Sequence, residues 1–383
     1  MKGVALTHKG IEKITGLEIN ELINAKTETK ATAVIFDFSN FKDLCLLCYK
    51  AQSVKRILYL LTLFKITDFF TQLMEKLSKI NYAPLINKKT SFKVICEKIE
   101  SGLNNEEIMK RSGEIIIEVV KKTNGFKPKV NLENPKIIFY VYIYKNQCYI
   151  GIDFSGRDLS KRDYKIFISN VSIKGTIAYT LLRLGNFSAE ETLVDLFCKS
   201  GEIIIEAGLY ASKFPINYYS KENFAFYNLP FFKEDIKNLF EEQDKKICKP
   251  KTIIYGYDAN QKYVMQAKKN AKIAGVQKYM SITKQDIEWI DLKQREKSID
   301  KIITYPPILS KIKSENKIVR IYKEFFYQAE YVLKDNGLVV VLSKSLELLE
   351  EQAKKYHFKL KDKKEIWTGK QKMFIGIFCK EIK

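Results

Sequence analysis

The 383-residue sequence contains only two histidines, His8 and His357, and a single Cys-x-x-Cys pair, Cys45 with Cys48. A structural zinc takes four protein ligands, so no metal centre is expected, and the pair reads as thiols of a helix core. Seven cysteines are an odd number without framework spacing. That excludes a disulfide-stapled secreted scaffold and fits reduced thiols in a cytoplasm. Long apolar runs are missing: ILYLLTLF at 57–64 is far shorter than the ~20 residues needed to span a bilayer. The opening MKGVALTHKG lacks the apolar core of a secretory leader. Repeats and low-complexity tracts are absent. A soluble, cytoplasmic protein with no membrane association is expected.

What is present points to a polyanionic partner. Lys and Arg number 66 against 45 Asp and Glu, a net charge of +21. Each phosphate neutralised by a basic side chain releases a condensed counterion, so such a surplus suits nucleic acid. Solvated lysines of a Lys-rich sequence are the plain alternative. With 46% hydrophobic and 13% aromatic residues, the chain can bury real cores, and its length exceeds one ordinary core.

Patterning divides the chain. Residues 1–65 read as a small α+β unit: a helix at Ile11–Leu22, a strand at Ala31–Phe38 and a helix through Asp43–Lys50. Residues 66–155 form a second unit, with a capped helix over 104–122 and strands at Lys136–Tyr144 and Gln147–Ile152. Residues 156–185 read as a linker. From 186 to 383, strands alternate with amphipathic helices: Thr192–Phe197, Thr252–Tyr257, Met280–Thr283, Ile299–Thr304 and Leu338–Leu342. That alternation predicts a doubly wound, mainly parallel α/β sheet. A hairpin at Lys364–Trp367 and Met373–Cys379 closes it.

Chemistry concentrates at the strand ends of this last region. VDLFCKSGEIIIEA at 194–207 places Asp195 before a turn with Gly201 and then a helix, where backbone amides can approach a ligand. Asp258 in YGYDANQ ends the next strand, where a carboxylate can accept both ribose hydroxyls. Asp286 follows the third strand. Each acid alone can equally cap a helix, but together they suit one ligand across the sheet. IITYPPIL at 302–309 sets Pro306 and Pro307 as a rigid, extended turn; a purely structural role is the alternative.

These segments resemble the THUMP-linked RNA methyltransferases. The 194–207 segment is similar to that family's DPFCGSGTILIEA loop, with Asp195, Cys198, Ser200 and Gly201 in matching places and departures at Leu196, Lys199 and Glu202. The resemblance implies a Rossmann-like class I methyltransferase domain binding S-adenosyl-L-methionine through Asp195, Cys198, Ser200, Gly201, Asp258, Asp286 and Thr304. Tyr305, Pro306 and Pro307 stand where relatives carry Asn/Asp-Pro-Pro-Tyr, which accepts hydrogen bonds from the target amine; Tyr305 and Ile308 depart from it. Tyr305 is expected to touch the base, by stacking or through its hydroxyl, with a buried spacer as the rival role.

The N-terminal half resembles a THUMP domain preceded by a ferredoxin-like unit, carried by Val130, Leu132, Pro135, Gly151, Ile152 and Asp153. DLSKRDYKI at 158–166 and FAFYNLPFF at 224–232 resemble further family segments. The resemblance implies a tRNA partner and guanine-N2 methylation in the acceptor-stem region by a monomer. Candidate RNA contacts are Lys88, Lys89, Lys121, Lys122, Lys127, Lys129, Lys161 and Arg162; the last two can instead pair with acids. A catalytically decayed RNA-binding protein is the alternative function. No SGGxDS loop is present, which excludes the sulfur-inserting THUMP enzymes.

Overall fold

The computed structural model describes residues 1–309 and 315–381. The chain forms two compact units that interleave in sequence: Met1–Thr7, Thr15–Leu159 and Asn217–Glu242 make the first, and His8–Ile14, Ser160–Ile216 and Gln243–Lys383 the second.

The first unit begins β1 (Lys2–Leu6), α1 (Glu12–Ile23), β2 (Thr27–Lys30), β3 (Ala33–Asp37), α2 (Phe41–Lys50) and β4 (Arg56–Lys65). This β-α-β-β-α-β order with antiparallel neighbours β2-β3-β1-β4 is ferredoxin-like. Next come α3 (Phe69–Ser78), β5 (Ser91–Ile99), α4 (Asn105–Asn124), β6 (Lys129–Val130), β7 (Ile137–Tyr144) and β8 (Gln147–Asp153). β8 pairs with β4, so one eight-stranded sheet, β2-β3-β1-β4-β8-β7-β5-β6, runs without a break across residue 65. The short apolar run at 57–64 therefore lies in β4, the strand that joins the two halves of this sheet.

Local rules explain the best-formed helix. Asn104 accepts from the Glu106 and Glu107 amides at the start of α4, and Gly125, at φ 74°, closes its end by donating to Lys121 O. Cys45 and Cys48 of α2 are fully buried free thiols. The FAFYNLPFF segment packs within this first unit. Phe226 lies 5.1 Å from Phe224 and 6.3 Å from Phe154, all three rings buried.

The second unit contains α5 (Gly175–Leu184), β9 (Leu193–Asp195), α6 (Glu202–Ala211), the end of α7 (Lys237–Asp244), β10 (Ile254–Asp258), α8 (Gln261–Ile273), β11 (Met280–Lys284), β12 (Ile299–Thr304), α9 (Glu315–Val332), β13 (Leu333–Ser343), α10 (Glu347–Lys355), β14 (Phe358–Thr368) and β15 (Gln371–Lys380). Its sheet order is β11-β10-β9-β12-β13-β15-β14. β11 through β13 pair in parallel, and the β14–β15 hairpin adds antiparallel. This is the doubly wound sheet expected from the strand–helix alternation. Residues 8–14 complete it: Gly10 lies at φ 94°, and an added Cβ would come within 2.3 Å of Glu365 O. The Trp367 amide donates to Lys9 O at 2.9 Å.

One proposed RNA contact is corrected here. Arg162 is buried, its side chain 2% exposed, and its Nε and Nη2 hold both carboxylate oxygens of the fully buried Glu206 at 2.8 and 3.1 Å. Tyr164 donates to the same carboxylate at 2.8 Å. Of the two alternatives, pairing with an acid holds, and the guanidinium is not presented to phosphate. Removing one partner of a buried, bidentate pair leaves an uncompensated charge, typically at a loss of ~3–5 kcal/mol. Glu206→Ala is therefore expected to destabilise the full-length protein by about that amount in urea denaturation, whereas Lys161→Ala, at an exposed position, leaves the midpoint within error.

Candidate active site

The parallel strands turn over between β9 and β12: from β9 the chain moves outward to β10 and β11 on one side, then returns to β12 on the other. Open α/β sheets bind ligands at the carboxyl ends of the strands flanking such a switch. Three expected cofactor residues end these strands. Asp195 ends β9, Asp258 ends β10 and Thr304 ends β12. All three are buried.

Asp195 accepts a short hydrogen bond from the Thr304 hydroxyl and a 3.1 Å bond from the Phe197 amide. Burial pushes its carboxyl up to about 7; the two hydrogen bonds and the Lys199 charge work against that rise, and Asp258 adds to it. Asp258 accepts the Lys199 amide at 3.0 Å and the Asn260 amide at 2.9 Å, so it braces the β9 loop from the neighbouring strand. Cys198 is held by its amide's 2.8 Å bond to Tyr257 O. Its thiol is pushed well above the usual range by burial and then by the nearby carboxylates of Asp195, Asp258 and Glu202. It is an inert packing thiol.

Gly201 begins α6 at φ 90°, and a Cβ there would lie 3.0 Å from Ala267 Cβ. Both backbone and packing demand glycine. Ser200 donates to Glu202 Oε1 at 2.9 Å and accepts from the Ser169 amide at 3.2 Å. Glu202, one of the departures from the motif, is buried, yet it also accepts Ser172 Oγ at 2.6 Å and has the Lys165 ammonium 3.5 Å away. Asp286 stands apart: it is exposed and caps a single turn at Ile287–Trp289 through the Glu288 amide. Its carboxylate keeps free acceptor capacity beyond the end of β11.

After β12 comes the Pro-Pro turn. Tyr305 is only 8% exposed, and burial raises its phenol above the ordinary value. Lys199 reaches across to it from the β9 loop. Its Nζ donates to Tyr305 O at 2.6 Å and sits 3.5 Å from the ring centroid. The ring is thus buried with one face under an ammonium, which favours the spacer role over base stacking, and the carbonyl becomes the telling atom of this residue. Tyr322 donates to Pro307 O at 2.8 Å and fixes the turn from α9.

Sequence reasoning missed Asn270. Fully buried on α8, it donates to Ser200 O at 2.9 Å and Phe167 O at 2.8 Å, and accepts the Phe167 amide at 3.0 Å. An amide on the apolar stripe of Val264, Ala267 and Ala271 was the available signal. In the first unit, Lys88, Lys89, Lys121, Lys122, Lys127 and Lys129 are all exposed. β6 pairs with the start of β5, Lys129 opposite Ser91, and Asn124 donates to Ile86 O. These contacts gather the six lysines at one end of the unit.

The RMKL-like methyltransferase domain model matches residues 162–372, more than half of the chain, and the THUMP domain model matches residues 68–153. The chain belongs to the RMKL-like methyltransferase family. The tRNA (guanine(6)-N2)-methyltransferase of Methanocaldococcus jannaschii is 27% identical over 370 residues, covering 94% of this chain and 95% of that protein. The ribosomal RNA large subunit methyltransferase K/L of Buchnera aphidicola is 27% identical over 335 residues, covering 83% of this chain and 47% of that protein. Among solved structures, TrmN from Thermus thermophilus matches with a TM-score of 0.71 and 19% identity over 99% of both chains. SMU.472, solved with S-adenosylhomocysteine, matches at 0.84 and 19%, covering 100% of this chain and 98% of that one. At such identities the structures share the fold.

The donor set suits an adenosyl cofactor, since buried and exposed carboxylates end successive parallel strands around a glycine-limited turn. The raised Asp195 carboxyl carries a pH consequence. Folded, it keeps a proton that the unfolded chain has released above pH ~4. Stability contributed by this group therefore falls as pH rises from about 4 and is lost once pH passes about 7. Asp195→Asn is expected to flatten that decline in urea denaturation curves collected across the window. An unaltered decline would mean that the carboxyl is ionised throughout.

Proposed function

We propose that this methyltransferase modifies tRNA, transferring a methyl group from S-adenosyl-L-methionine to the exocyclic N2 of a guanine in the acceptor-stem region. The observation that carries the reading is the convergence of Asp195, Asp258 and Thr304 with the Tyr305-Pro306-Pro307 turn at one sheet edge. The likeness to the M. jannaschii guanine-N2 enzyme over nearly the whole of both chains supports the substrate. We further assign the protein to the cytoplasm, consistent with its free cysteines, and read it as a monomer, since RNA-binding and catalytic parts lie in one chain.

When bound, S-adenosylmethionine supplies an electrophilic methyl group on a sulfonium. Asp258 and Asp286 would serve as acceptors for the ribose and adenine ends, and the β9 loop, with Asp195, Ser200 and Gly201, would hold the amino-acid end. The turn carbonyls orient the target amine. The raised phenol of Tyr305 stays protonated near neutral pH, so the residue offers no base; an exocyclic amine needs positioning more than deprotonation. The guanine leaves its stack to reach such a pocket. One observation favours the rival reading of a decayed RNA-binding protein: Lys199 already occupies the Tyr305 carbonyl.

RNA capture falls to the lysines gathered where β5 begins, beside β6 and the end of α4. Exchanging Lys121 and Lys122 for alanine is expected to weaken tRNA binding. The slope of log K against log salt should become shallower by about 0.7–0.9 for each phosphate that these side chains neutralise in the parent. A slope identical to the parent's would remove both from the interface.

The function itself is tested by nucleoside mass spectrometry of tRNA from cells lacking the protein. N2-methylguanosine should fall, and the purified protein should restore it. Tyr305→Phe should retain transfer and Tyr305→Asn should match or exceed the parent, since the backbone carbonyl persists in both. Unchanged nucleosides in the deleted strain would leave the RNA-binding reading standing.

A further inference from the structure

Lys199 is the least expected residue of the site. It replaces the small residue of the loop motif in a left-handed conformation, φ 49°, which L residues other than glycine adopt at a penalty. Strain of this kind persists where surroundings hold it, and it clusters at ligand sites. Here the surroundings are visible: the Lys199 amide is fixed by Asp258, and the side chain, 8% exposed, spans from the β9 loop to the end of β12. Its ammonium contacts the Tyr305 carbonyl and the ring face of the same residue. Asp195 and Asp258 stand beside it. A carboxylate and a carbonyl that would attract a cation have one built in.

We propose that Lys199 makes the cofactor site charge-selective, an internal cation against which a positively charged methyl donor must bind. The inference rests on reading the β9, β10 and β12 ends as the cofactor site. S-adenosylmethionine carries a sulfonium, an ammonium and a carboxylate, net +1; S-adenosylhomocysteine has lost the sulfonium and is net neutral. A cation built into a poorly solvated site disfavours a cationic ligand relative to a neutral one of the same shape. Lys199 therefore weakens the donor more than the demethylated product, and the site favours the spent cofactor. A lysine acting instead as a clamp on the ligand carboxylate would strengthen both ligands alike.

Calorimetry on the full-length protein separates these cases. The dissociation constants of S-adenosylmethionine and S-adenosylhomocysteine are measured for the parent, for Lys199→Met, which removes the charge at similar length, and for Lys199→Arg, which keeps it. Lys199→Gln provides a second neutral side chain if the methionine variant fails to fold by circular dichroism. The expected result is that the neutral variant tightens the donor relative to the product by about tenfold, while arginine preserves the parent's ratio. An unchanged ratio in the neutral variants, or a parallel weakening of both ligands, overturns the proposal while leaving the cofactor site in place. Failure of either ligand to bind any of the proteins overturns the site reading and this inference together.

Discussion

The hydrogen bond from Thr304 to Asp195 joins the ends of β12 and β9, the two strands on either side of the switch in the second sheet. The rest of the site depends on that junction. It is buried, so the carboxyl is held near neutrality rather than fully charged, and a buried acceptor without its donor would be costly. With β9 and β12 locked end to end, the loop after one strand and the Pro-Pro turn after the other face a common space. Asp258 then braces the first loop from β10 through the Lys199 amide. Geometry is thus fixed by backbone amides and buried polar pairs, not by any single reactive side chain, as befits chemistry in which orientation dominates.

The departures from the family's loop are not independent of their surroundings. Lys199 touches Tyr305, so the two most unusual residues of the site form one contact. Glu202 has been given Ser172, Ser200 and Lys165 as partners. Burying a carboxylate at a helix start is favourable when donors and a cation meet it. Lys199, Tyr305 and Glu202 are each accommodated by specific neighbours, which is how a site can change its electrostatics while keeping its fold.

Much of the fold was legible because periodicity and punctuation are local. The α4 helix, with Asn104 before it and Gly125 after it, and the strands β7, β8, β11 and β12 lie close to where the pattern placed them. The order of acids behind successive strands located the sheet edge. Other parts depend on pairing between distant segments. β4 was hidden because an apolar run looks the same in a strand or a core helix, and only its partners β1 and β8 settle it. β1 and β5, which also find their partners far along the chain, were overlooked too, as was α10. Arg162 looked like a phosphate ligand, because nothing adjacent in sequence reveals Glu206. Lys199 stood only as a departure from the loop motif; its reach to Tyr305 follows from a left-handed backbone that composition does not disclose.

The packing of residues 8–14 against the β14–β15 hairpin has a kinetic implication. Lys9 and Gly10 meet Glu365 and Trp367, so nearly the whole chain separates two segments that belong to one unit. During synthesis the early segment emerges long before its counterpart exists. Contacts of such separation form late and slow folding, because loop closure precedes any gain from the contact. The sheet order compounds this, since β15 inserts between β13 and β14 only after both have been made. A nascent chain of this protein therefore carries an unfinished edge at β13 until β15 arrives, and that exposed edge is where aggregation or chaperone engagement would be concentrated.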